Sequence, residues 1–131
     1  MTYEFEKNIL KYNGEEIYKA PSEIIDCLTN KFNNTVIIVY HFSPLVPKTE
    51  GSFVFPPKLE DESLQRDINQ NILCMDEQGN EVWRIEKTFD YPVGFIWIKD
   101  RNGEIWAHRA DKHEYKLDWK TGKVLEHKPS I

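Results

Sequence analysis

At 131 residues, with 40% apolar and 30% charged side chains, the chain has the makeup of one folded domain with its own core, which excludes intrinsic disorder and removes the need for metal or disulfide staples. The formal charge of −5 is concentrated in residues 1–65, with 6 basic against 10 acidic side chains, so general nucleic-acid binding is not expected, while the charge is compatible with a basic protein partner. No run approaches the roughly 18 apolar residues of a membrane span, residues 1–6 lack the basic and apolar regions of a secretory signal, and Cys27 and Cys74 stand outside any Cys-x-x-Cys unit; the expectation is a cytosolic protein with two buried free thiols.

Tyr3 and Phe5 alternate with Glu4 and Glu6 in the period-two pattern of a strand. A hairpin phrase follows that the chain writes four times: an apolar run, a polar corner ending in Gly, and a second apolar run. The copies are Ile9–Tyr18 turning at Asn13-Gly14, Ile72–Trp83 turning at Gln78-Gly79, Phe95–Trp106 turning at Asn102-Gly103, and Tyr115–Leu125 turning at Thr121-Gly122. Asn-Gly favours a two-residue hairpin corner because both central residues of a type I′ turn need positive φ.

Residues 22–32 read two ways. Ser22 can cap a helix with Ile24, Ile25 and Leu28 on one face, or Glu23 to Leu28 can form a strand turning through Asn30–Asn34; without a C-cap the strand is favoured. Val36-Ile37-Ile38-Val39-Tyr40 is an unbroken β-branched run and predicts a central strand buried on both faces. From Ser43 to Asn69 the pattern changes to a long connection, broken by Pro44, Pro47, Pro56 and Pro57 and carrying the solvated run Glu60-Asp61-Glu62. Within it, Ser52-Phe53-Val54-Phe55 is apolar enough for a short edge strand or a surface anchor.

In the C-terminal half, Ile72 to Met75 pairs with Val82 to Ile85, and Phe95 to Ile98 with Glu104 to Ala107. Tyr115, Leu117 and Trp119 alternate with Glu114, Lys116, Asp118 and Lys120, which predicts a strand with one wet face. The expected fold is mainly antiparallel β in a single domain over 1–131. Its hairpins form a meander of about seven to ten strands, making a bent sheet, a partly open barrel or a small sandwich, with at most one short helix.

Residues 71–83 and 114–125 are similar to the strand–Asp–x–x–Thr-Gly-Lys–strand phrase of quinoprotein-like β-propeller blades, with Trp83 in the blade's tryptophan place. The resemblance implies structural roles: the Asp accepts backbone N–H bonds of the turn, and the Trp packs between blades. It implies no cofactor, since no catalytic motif of those enzymes accompanies it. Blades take roughly 40–45 residues each and propellers at least four, so at most three fit here. The remainder resembles small uncharacterised bacterial proteins built from such hairpins.

No Gly-rich phosphate loop, Gly-x-Ser-x-Gly elbow or Cys–His pattern is present, so the chain leans away from catalysis. Functionally the favoured reading is a cytosolic protein-binding module, in its sharpest form an immunity-type or antitoxin-like inhibitor of a basic toxin. Phe53, Phe55, Glu60, Asp61 and Glu62 are its candidate contact residues, and no cofactor is expected. The alternative is a small enzyme or metal-binding barrel with a site near His108, Asp111 and His113, if the bend between two strands brings them together. Trp97, Trp106 and Trp119 on neighbouring strands are candidates for a stacking platform, with core packing favoured. Strand edges offer a further route, to a homodimer.

Overall fold

Eleven strands in three antiparallel sheets make up the computed structural model, which describes residues 2–30, 32–47, 58–88 and 91–129. The first sheet contains β1 (Tyr3–Glu6), β2 (Ile9–Tyr12) and β3 (Glu15–Lys19). The middle sheet contains β4 (Ile24–Asn30), β5 (Thr35–Tyr40), β6 (Ile72–Met75) and β7 (Glu81–Arg84). The third contains β8 (Phe95–Arg101), β9 (Glu104–Arg109), β10 (His113–Leu117) and β11 (Val124–Pro129). Each sheet runs in chain order, so nearly every connection is a hairpin. No sheet closes into a barrel among the described residues.

The β-branched run decides how the sheets stack. Val36, Ile38 and Tyr40 on β5 point to the first sheet and meet Tyr3, Leu10, Leu73 and Met75. Ile37 and Val39 point the other way and meet Trp83, Phe95, Ile105 and Leu117 of the second core. Opposite faces of one strand therefore feed two cores, and the middle sheet is the shared layer. Strand β4 contacts both β1 and β8, so the first strands of the three sheets adjoin.

The Asn-Gly corners adopt the conformation their residues favour: φ is 52° and 82° at Asn13-Gly14, and 55° and 87° at Asn102-Gly103. The hairpin ending each sheet also carries a β-bulge on its outer strand, opposite Leu10/Lys11, Cys74/Met75 and Lys116/Leu117. The three sheets thus share one local design.

Three expectations need correction. The strand count is eleven, one above the expected range, and two of the hairpins, β1–β2 and β9–β10, turn at Lys7 (φ 54°) and Lys112 (φ 68°) without a Gly signal. The connection read from Ser43 to Asn69 is shorter than expected, because Ser43–Leu45 form a 3-10 turn and Glu62–Asn69 form the one short helix the sequence allows, α1. Asp61 caps α1 by accepting the Leu64 N–H, and Ile68 is fully buried; two apolar positions in eight residues leave little periodicity to read. Glu114, expected on a wet face, is buried under the Arg101 guanidinium, which donates to both its oxygens at 3.1 and 3.3 Å.

Helix α1 is pinned by a polar hub. Arg84 donates to the Tyr40 hydroxyl (3.2 Å) and the Gln70 carbonyl (2.9 Å), and pairs with Glu81 (3.1 Å). The Tyr40 O–H donates to the Asp67 carbonyl at 2.6 Å, and burial pushes its pKa up to about 12. No helix among the described residues is long and apolar enough to cross a membrane.

Candidate partner-binding groove

Three turns meet where the middle and third sheets adjoin, and they enclose a groove of about 680 Å³. Thr29, Asn30, Phe32 and Asn33 of the β4–β5 turn form one wall, and Asp100, Gly103, Trp119 and Lys120 form the other. Phe32 is wholly exposed, at 102% of its reference area, more than any other large apolar side chain among the described residues. An unshielded Phe of this kind is the informative exception to ordinary surface composition.

Both walls are held by their own short polar residues. The Asn30 side chain accepts the Phe32 N–H (3.1 Å), and Asn33 accepts from the Thr35 N–H and hydroxyl (3.3 and 2.7 Å). Asn34 donates to the Tyr12 hydroxyl (2.9 Å) and to Glu77 (2.7 Å), and its carbonyl accepts the Tyr3 O–H, so the turn is tied to the first sheet and to the β6–β7 corner. Burial and the neighbouring Tyr12 and Glu77 push the Tyr3 hydroxyl up to about 12, which keeps the donating proton in place. Opposite, the Trp119 indole N–H donates to the Gly103 carbonyl (2.9 Å), while its own carbonyl accepts the Trp83 indole N–H (2.9 Å). Asp118 accepts the Lys120 N–H (2.7 Å) and Asp100 the Gly103 N–H (2.8 Å). The indole is therefore fixed before any ligand arrives, which lowers the ordering cost of binding.

The residues singled out from sequence are distributed otherwise. Phe53 and Phe55 lie outside the described residues. Glu60, Asp61 and Glu62 are exposed, but Asp61 is committed to capping α1. Glu62 lines a smaller cleft of about 280 Å³ beside Lys58, Arg66 and Lys87, so the acidic run is diluted by cations.

His108, Asp111 and His113 do not converge. His108 lies 3.9 Å from Glu114 on the outer face of the third sheet; Asp111 accepts from Arg109 (2.8 Å); His113 Nδ1 meets His127 Nε2 at 2.7 Å. The register explains the divergence, because His108 and His113 sit on opposite faces of the β9–β10 hairpin. No group of three His, Cys, Asp or Glu among the described residues is placed to hold a metal ion. The three tryptophans do not form one platform either. Trp97 stacks on His108 (4.8 Å, 12°), Trp106 is buried with Arg101 and Lys128 over its ring, and Trp119 belongs to the turn.

Cys27 and Cys74 are free, and burial pushes both thiols up, away from the reactive thiolate.

Residues 46–128, more than half of the chain, match the model of a domain of unknown function, DUF7957. The chain belongs to the DUF7957 family. The matched stretch includes α1, β6 to β10 and β11 up to Lys128, and with them the Trp119 wall of the groove but not the Phe32 wall. No curated protein matches this DUF7957 chain. Among solved structures it is similar to the computationally designed Ika8 protein, at 14% identity over 98% of this chain with a TM-score of 0.49. The chain spans about a third (36%) of the length of that design.

Proposed function

We propose that this DUF7957 protein is a non-enzymatic protein-binding module whose groove clasps an apolar side chain of its partner. The observation that carries the reading is Phe32, wholly exposed near Asn34, which is tied to the first sheet and the β6–β7 corner, and sharing a groove with an indole already locked in place. Preorganised aromatics bordering a cleft are the composition of interface hot spots. The amide and hydroxyl rim from Thr29, Asn30 and Asn33 supplies hydrogen bonds around them.

In its more specific form the module is an immunity-type inhibitor working in the cytosol, and the partner is basic. The chain's net charge of −5 and its two free cysteines support this form. The test isolates the protein with its partner at low salt, then measures Kd against Phe32→Ala and Trp119→Ala. Losses of about 2 kcal/mol, or roughly thirtyfold in Kd, are expected at each. Affinities equal to wild type at both positions dismiss the groove. Glu60→Lys with Glu62→Lys, sparing the cap at Asp61, addresses the basic partner separately. The reading requires this pair to slow association and flatten its salt dependence.

A further inference from the structure

The two ends of the sheet stack are complementary to each other. In the middle and third sheets, the corner of the last hairpin rests on the bulged outer strand of the sheet before it. A Cβ added at Gly79 would stand 1.9 Å from the Ile17 carbonyl oxygen of β3, and one at Gly122 would stand 2.3 Å from the Trp83 ring of β7. Close approach of this kind is why glycine occupies both corners. Gly14 is the same corner of the first sheet, yet it is exposed and an added Cβ meets nothing within 4 Å. At the other end, β11 carries at Val124-Leu125-Glu126 the same bulge as β3 and β7, the strands that receive Gly79 and Gly122. Leu125 there is 58% exposed, with no following sheet among the described residues.

We infer that these ends meet in a second copy of the chain, the Gly14 corner of one docking on the Leu125 bulge of the other, head to tail. The charges agree. Setting aside ion pairs within each sheet, the outer face of the first sheet leaves Glu4 and Glu16 against Lys19, and that of the third leaves Lys99 and Lys128 against Glu126. A face with one excess carboxylate thus adjoins a face with one excess ammonium across the junction. The contact is heterologous and polar, so it weakens with added salt. It uses residues outside the Phe32 groove and stands apart from the proposed partner.

Sedimentation of the full chain tests it. Wild type should self-associate with rising concentration at low salt and shift to monomer at high salt. Gly14→Asn bears the positive φ better than most side chains but adds the obstructing Cβ, and Leu125→Glu spoils the bulge; each should yield monomer while the circular dichroism spectrum stays that of the folded chain. Mixing the two variants should recover association, because the free Gly14 of one chain meets the free Leu125 of the other. A wild-type chain that stays monomeric at millimolar concentration overturns the inference. So does association that ignores both substitutions, or a mixture that fails to recover it.

Discussion

Asn71 and Phe95 are joined by two hydrogen bonds: the Phe95 N–H donates to Asn71 Oδ1 and Asn71 Nδ2 donates to the Phe95 carbonyl, both at 2.8 Å. The same Nδ2 reaches the Tyr40 carbonyl at 2.6 Å, and Asn71 is fully buried. One side chain thus stands in for a neighbouring strand and splices the end of β5 to the start of β8, where the two cores meet. Asn71→Ala should cost about 2–4 kcal/mol by leaving buried backbone groups unpaired. Asn71→Asp should cost more, since a carboxylate cannot donate and would sit charged beside two carbonyls. Urea unfolding of both variants checks the order.

Gly122 and Trp83 bind the middle and third sheets at the other end. Gly122→Ala has to displace the indole and hold φ at 72° with a side chain, so a loss of about 1–3 kcal/mol is expected from overpacking alone. The Trp83 fluorescence maximum should move red as the ring loses its cover. A variant that melts and fluoresces like wild type would show that the corner does not bear on the ring.

The cap at Asp61 gives a smaller, local effect. Asp61→Ala removes the acceptor of the Leu64 N–H and should cost about 1 kcal/mol. Hydrogen exchange should quicken at the start of α1 and remain slow in β5, where every residue is buried.

Alkaline pH should weaken the fold through two hydrogen-bonded tyrosines. Burial pushes the Tyr3 and Tyr40 hydroxyls from 10 up to about 12, and both donate to backbone carbonyls. A raised pKa means the neutral form is favoured on folding. The stabilisation is therefore complete below pH 10 and is lost as pH rises towards 12. For Tyr40, the more enclosed of the two, this is on the order of 2–3 kcal/mol. Tyr40→Phe should abolish its share of the alkaline slope, although it also removes the bond to Asp67. Unfolding free energies followed from pH 8 to 12 give the comparison.

Much of the architecture was legible in the residues. Period-two alternation, the Gly corners and the β-branched run of β5 announce hairpins around a strand buried on both faces, because these signals act within a few residues of themselves. The groove was much less so. Phe32 reads as the end of an ambiguous segment and Trp119 as one more core ring in an alternating strand; the only hint is an aromatic set beside Asn33-Asn34 in a turn. Likewise His108 and His113 look like a pair until the hairpin register sends them to opposite faces.

By itself, the sequence determined most of the strands, the four glycine corners, and that one strand must be covered on both sides; local sterics and burial of apolar faces fix those features within a few residues. Tertiary structure alone decided that Asn71 would splice two sheets, that Phe32 and Trp119 would border one groove, and that Gly14 and Leu125 would be left uncovered at opposite ends. Those outcomes depend on how twisted sheets stack across tens of residues, and no short window of sequence carries that geometry.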